Sequence, residues 1–233
     1  MCGRYAVFAS LREICRRFGA LPPDETQAQG WKPLYNAAPM MDVPIIIRGQ
    51  MGFARWGFVP TWAKDEQNAA KLINARSETI AEKPTFKDAW IKRRRCLIPA
   101  NGFYEWKKQG ADQGAYFIGP DYDVPHGTED MINGNVVFGF AGLWEVWNDR
   151  VGFTILTRPA RPSLEHIHAR EPVIFSPQQA DLWFNSDYGG AQTMMEEQTH
   201  EAIRFWRVGP DVGSVKNNDP ALLKPDHQSS VLL

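Results

Sequence analysis

Seven short apolar runs, each closed by turn residues, constrain the fold more than any other feature of the chain. Residues 43–48 and 51–58 are separated by Gly49-Gln50, a hairpin signal. Residues 96–107 read as strand, interrupted at Pro99-Ala100-Asn101-Gly102. Residues 115–118, 136–147 and 151–157 follow, with Asn148-Asp149 as the turn between the last two, and residues 203–208 supply a final strand. Helical signals are fewer. Ser10-x-x-Glu13 reads as a capping box, after which Leu11, Ile14, Cys15 and Phe18 recur at helical spacing until Gly19 stops the helix. That spacing makes Cys15 a small core residue. Ser176 caps a short helix reaching Phe184, with Pro177 at its first position. Residues 21–33 and the polar insertion 119–135 read as loops, and the chain from Asp219 onward reads as a fraying tail. No repeat or linker-like composition divides the sequence. The expectation is one α+β domain over residues 1–218, predominantly antiparallel or mixed β-sheet (barrel-like) with a few short peripheral helices, and a tail over 219–233.

An apolar fraction of 43% and nine tryptophans suffice for a core of that size, and a net charge of −1 sets up no global field toward a polyanion. Charge is uneven locally. Lys92-Arg93-Arg94-Arg95 is one basic run, and Arg12, Arg16 and Arg17 form another; such runs are more often solvated faces than nucleic-acid contacts. Three cysteines at wide spacing, without a CxxC pair, argue against a disulfide framework or a structural metal. No apolar signal core opens the chain and no run approaches a membrane span, so a monomer in a reducing cytoplasm is expected.

Cys2 directly follows the initiator methionine. Removal of Met1 before so small a residue would leave an α-amine and a thiol on one residue. An aldehyde forms an imine with such an amine, and the thiol then closes onto the imine carbon to give a five-membered thiazolidine. With pKa values of roughly 8 for the amine and about 8.5 for the thiol, both groups are within reach of neutral pH. The competing reading is an incidental residue on a terminus.

Other blocks set polar groups in apolar sequence. Glu105 lies between Tyr104 and Trp106 on a predicted strand; in apolar surroundings it would be a general acid or base, and in a simple alternating strand it would face solvent. His168, in a Pro-bounded loop beside Arg170, is either a proton carrier or a structural histidine. His166-x-His168 lacks a third ligand in register, so no metal is expected. Asn74 and Arg76, two apart on a strand, share a face, where they would orient a reacting group and hold a phosphate, or form a sheet-surface pair. Trp62, Trp106 and Pro39 are core residues or, if exposed, surfaces for stacking bases.

Cys2-Gly3-Arg4-Tyr5, Asn36-Ala37-Ala38-Pro39, Trp56-Gly57-Phe58-Val59-Pro60-Thr61-Trp62, Ile73-Asn74-Ala75-Arg76-Ser77-Glu78, Gly102-Phe103-Tyr104-Glu105-Trp106 and His168-Ala169-Arg170-Glu171-Pro172 occur in that order. Together they resemble the SRAP family (SOS response-associated peptidase), the abasic-site processing proteins, over nearly the whole chain, from Cys2 to about Lys216. The resemblance implies recognition of an abasic site in single-stranded DNA and its covalent capture by Cys2, without a cofactor. By similarity, Asn74 positions the Cys2 amine and the opened sugar, Glu105 is the acid/base, and His168 assists ring opening and reversal. Arg4, Arg76 and Arg170 match positions lining the DNA channel, and Pro39, Trp62 and Trp106 match positions near the bases. The family name carries an alternative, a thiol peptidase or amidohydrolase with an N-terminal nucleophile. Ala169 and Glu171 depart from the family pattern, as does the length of the 119–135 insertion.

Overall fold

The structure, a computed structural model, describes residues 2–120, 136–197 and 203–226. The first strands are β1 (Arg4–Val7), β2 (Leu34–Ala37), β3 (Asp42–Ile47), β4 (Gln50–Trp56), β5 (Asn74–Arg76) and β6 (Arg95–Ala100). They are followed by β7 (Gly102–Lys107), β8 (Gly114–Pro120), β9 (Phe138–Trp147), β10 (Arg150–Pro159), β11 (Arg170–Pro172), β12 (Ile174–Phe175) and β13 (Ile203–Val208). Short helices surround them: α1 (Leu11–Phe18), α2 (Glu25–Ala28), α3 (Pro84–Ile91), α4 (Pro162–Glu165), α5 (Ala180–Asn185) and α6 (Tyr188–Glu196).

Strands β3, β4, β10, β9 and β6 pair in a closed ring, because β10 bonds antiparallel to β9 and parallel to β4. The tight β9–β10 turn is made by Asn148 and Asp149, both with positive φ (46° and 61°), the backbone a two-residue hairpin requires. A second sheet, ordered β13-β8-β7-β1-β2, lies against the barrel. Alternation sorts its residues onto two faces. Tyr5, Val7 and Phe103 face the barrel, where the Tyr5 ring meets Trp56 at 5.1 Å and Phe140 at 5.6 Å. Ala6, Tyr104 and Phe117 face the other way, against Trp206, Val212 and Leu223.

The predicted interruption at Asn101 is where the chain leaves the barrel for the second sheet. The buried Asn101 side chain accepts from the backbone of Phe8 (2.7 Å) and Ala9 (3.1 Å) and donates to Val136 (2.7 Å), satisfying groups that neither sheet can. Gly102 then lets the strands approach: a Cβ there would lie 2.1 Å from the Phe117 ring. The α1 signals hold, with Ser10 accepting from Glu13 N and Gly19 in the left-handed conformation. Only half of the capping box forms, because the Glu13 carboxylate turns to Arg16 and Arg17. Cys15 is half-buried against the core.

The structure also departs from the sequence-based expectations. The 21–33 stretch contains α2, capped by Asp24. Helices α3 and α6 were not anticipated. The chain beyond Asp219 is packed as far as residue 226: Pro220–Leu223 forms a 3-10 turn with Leu222 and Leu223 buried, and the Trp206 indole donates to Leu223 O at 2.7 Å. The insertion falls mostly outside the described residues, only Gly119 and Pro120 belonging to β8. The Lys92–Arg95 run is part of the scaffold. Arg95 is 1% exposed, lies between the Trp90 and Trp183 rings, and donates to the carbonyls of Trp183, Ser186 and Asp187. Arg94 pairs with the buried Glu145, and Lys92 with Asp88. Among the described residues, no helix is long and apolar enough to cross a membrane.

Candidate active site

Antiparallel pairing of β1 with β7 sets Arg4 opposite Tyr104 and Tyr5 opposite Phe103, so the chain just before β1 runs toward the Glu105 end of β7. Alternation puts Glu105 on the barrel-facing side with Phe103 and puts Trp106 on the opposite side. Cys2 precedes the strand and belongs to the main core, fully buried. On the other side of the site, β5 pairs in parallel with β10, Asn74 opposite Ile155 and Arg76 opposite Thr157. Strand β10 also pairs antiparallel with β11, which sets Arg170 opposite Pro159. Residues remote in sequence thus converge through one barrel strand.

Asn74 Nδ2 donates to Cys2 O at 2.8 Å, fixing the backbone of the residue that would carry the nucleophile. Asn74 Oδ1 is buried and has no hydrogen-bond partner among the described residues. A buried amide oxygen in that state is a standing energetic cost, and it is answered when a donor arrives. Glu105 is 4% exposed, and burial pushes its carboxyl above the usual carboxylate range, opposed in part by the charge of His168. Burial also raises the Cys2 thiol, and the Glu105 charge raises it further. Cys2, Glu105 and His168 therefore sense one another electrostatically, in the order thiol, carboxyl, imidazole. His168 Nδ1 is held between the N–H (3.0 Å) and the C=O (3.1 Å) of Arg170. Either tautomer finds a backbone partner there, so the ring keeps its place while its proton moves.

The remaining sequence-predicted residues divide. Arg76 is exposed beside Asn74, Trp62 is 65% exposed, and Pro39 is half-buried. The turn carrying Trp62 is anchored by the Trp147 indole, which donates to Ala63 O at 2.9 Å. Trp106 packs against the second cluster, on the face opposite Glu105. Arg4 donates to Asn36 Oδ1 (2.9 Å), Val212 O (2.9 Å) and Gly213 O (3.2 Å). Asn36 in turn donates to the carbonyls of Val212, Ser214 and Asn217. This pair ties the C-terminal segment to β1 and β2. Arg170 is chelated by Glu78 and also donates to Thr157 O at 2.6 Å. Glu171 points the other way on β11, buried, and accepts from Arg158 Nε (3.0 Å) and Arg161 Nε (2.8 Å). Two local arginines thus answer its charge. His166 is exposed against the Phe205 ring. The roles of Asn36 and Glu78 escaped the sequence reading, although both lie in the quoted blocks; their partners are 176 and 92 positions away.

Residues 1–215 match the family model described as SOS response associated peptidase (SRAP). The chain is 34% identical to the abasic site processing protein YoqW of Bacillus subtilis (strain 168), across 96% of this chain and 99% of that protein. It is 28% identical to the abasic site processing protein HMCES of Gallus gallus, across 97% of this chain and 78% of that protein. A crystal structure of a protein from Bacteroides thetaiotaomicron has the same fold, with a TM-score of 0.80, 23% identity, and coverage of 97% of this chain and all of that one. The extent of these matches establishes that the chain belongs to the SRAP family.

Proposed function

We propose that the chain, once Met1 is removed, captures the ring-opened aldehyde of an abasic site in single-stranded DNA as a thiazolidine on Cys2. The observation that carries this reading is the anchoring of Cys2 by Asn74 at 2.8 Å, within the electrostatic reach of a buried Glu105. The abasic site processing proteins among its relatives support the choice of substrate. His168 gives a proton to the sugar ring oxygen and takes back the one from the C1′ hydroxyl as the hemiacetal opens. The Cys2 amine adds to the C1′ aldehyde carbon, and the hydroxyl so formed leaves as water with a proton from Glu105. Glu105, now a carboxylate, takes the thiol proton as Sγ adds to the iminium carbon, which leaves a neutral ring nitrogen and returns the carboxyl to its starting state. One water is released overall. Burial keeps the thiol protonated, so a nearby base is needed while the C–S bond forms; a carboxyl raised by the same burial fits that task. Closure also removes the electron-accepting C=N bond, which would otherwise promote β-elimination and strand cleavage. Arg76 and Arg170 meet the phosphates, and Trp62 offers a face for a base.

The test is intact-mass and denaturing-gel analysis of des-Met protein mixed with a single-stranded oligonucleotide carrying one abasic site. A heat-stable species of protein plus DNA minus water is expected, and Cys2→Ser is expected to abolish it while leaving a transient imine. A heat-stable adduct from Cys2→Ser overturns the thiazolidine. No adduct from protein with a free Cys2 replaces this reading by an N-terminal-nucleophile amidohydrolase.

A further inference from the structure

We infer that Glu78 is an acidic gate: in the DNA-free protein its carboxylate fills the two-pronged seat on Arg170 that a DNA phosphate would take, and it thereby weakens binding of undamaged single strands. The inference rests on the reading that single-stranded DNA is the ligand.

A carboxylate and a phosphate present the same pair of oxygens to a guanidinium. Both Glu78 oxygens are engaged this way, Arg170 Nη2 reaching Oε2 at 2.9 Å and Nη1 reaching Oε1. Arg170 does not depend on Glu78 for its position, because Nη2 also donates to Thr157 O (2.6 Å) and to Thr157 Oγ1 (3.1 Å). Exposure separates the partners. The Arg170 side chain is 14% exposed and Glu78 is 41% exposed, so the carboxylate is the outer member of the pair, held besides by the Ser77 hydroxyl, which donates to Oε2 at a long 3.4 Å. Glu78 stands in the short turn Ser77–Thr79 that follows β5, two residues beyond the exposed Arg76, so the masked and unmasked cations adjoin. The Arg170 hydrogen bond also holds the Glu78 carboxyl below the usual range, which keeps the gate charged at neutral pH.

The logic suits a protein that captures its target covalently. Tight encounter binding would strand it on the large excess of intact DNA. A carboxylate that must be displaced costs every strand the same, whereas only an abasic strand recovers the loss through a bond to Cys2.

The experiment is fluorescence anisotropy of an undamaged single-stranded oligonucleotide with wild type, E78Q, R170Q and the double variant, at several salt concentrations, with a thermal melt of each protein. E78Q is expected to bind about three- to ten-fold tighter at low salt. The gain is expected to disappear in the R170Q background, because the gate acts through that guanidinium. Unchanged or weaker binding by folded E78Q overturns the proposal, and so does a gain that persists without Arg170, which would mark simple charge repulsion. Should E78Q melt early, E78D decides: the shortened carboxylate is expected to tighten binding by a smaller factor, and wild-type or weaker affinity overturns the gate. The readout is non-covalent, so tightening by E78Q together with no abasic adduct would sink the crosslinking reading and leave the gate standing. Failure of every form to bind any single strand would sink both.

Discussion

Two buried carboxylates face opposite tasks. Glu171 is 1% exposed and receives Arg158 and Arg161, so its charge is answered on both oxygens by cations of its own neighbourhood. Glu105 is 4% exposed, and its surroundings push its carboxyl toward the protonated form. Burial alone therefore says little about a charged residue. What counts is whether the counter-charge the fold supplies offsets the cost of burial. Arg95 repeats the first pattern with three carbonyls and two indoles. Arg95 and the Glu171 cluster stitch the barrel to its outer helices, whereas Glu105 lies within the electrostatic reach of Cys2.

The sharpest way to break this contrast is to neutralise each carboxylate. Glu171→Gln leaves two arginines facing a neutral amide, and a loss of about 3 kcal/mol in urea unfolding at neutral pH is expected. A loss under about 1 kcal/mol would show that the pair is ornamental. Glu105→Gln should act in the reverse sense on stability and strongly on chemistry. A carboxyl whose folded pKa is raised contributes stability that is fully present below its unfolded pKa of about 4.3 and is lost as pH rises through the folded value. The variant removes that loss, so at pH 7 its Tm is expected to rise by about 3 °C. The difference should vanish below the unfolded pKa, where both proteins are neutral at this position. Abasic-site crosslinking by the same variant is expected to slow about 100-fold, as the loss of an acid/base group implies. A lower Tm at pH 7 would show that Glu105 is stabilised as an anion and would remove the contrast.

The sequence made the local decisions legible and left the distant ones hidden. Ser10 and Gly19 bound α1 because caps act within a turn, and the β3–β4 hairpin expected at Gly49-Gln50 forms one residue earlier, on Arg48 and Gly49, both with positive φ. Helix α3 was missed because Lys83 supplies no side-chain cap, and α6 because Gly189 and Gly190 are poor helix formers behind an Asp187 cap. Arg95 resembled a solvated cation because nothing near it in sequence reveals the carbonyls of residues 183–187. The tail resembled a frayed end because Leu222 and Leu223 are two apolar residues in polar company, and their burial depends on the far face of the second sheet. Cys2, Asn74, Glu105 and His168 were legible as chemistry, and their convergence required the pairings of β1 with β7 and of β10 with both β5 and β11.

The smallest expected effect separates two arginines that the sequence treated alike. Arg4 spends its guanidinium on Asn36, Val212 and Gly213, inside the tie between β1 and the C-terminal segment. Burial lowers its pKa, the mark of a cation partly withdrawn from solvent. Arg76 is exposed beside Asn74. Arg4→Gln is therefore expected to cost about 1–2 kcal/mol of stability, as charged hydrogen bonds do. It should leave the salt dependence of single-strand binding unchanged. Arg76→Gln is expected to leave the melt within about 0.5 kcal/mol of wild type and to flatten the slope of log K against log salt by about 0.7, one phosphate contact on a single strand. A flatter slope from Arg4→Gln would mean that its tie opens on DNA. The C-terminal segment would then be part of the binding surface, and the line between scaffold and site would have to be redrawn through β1.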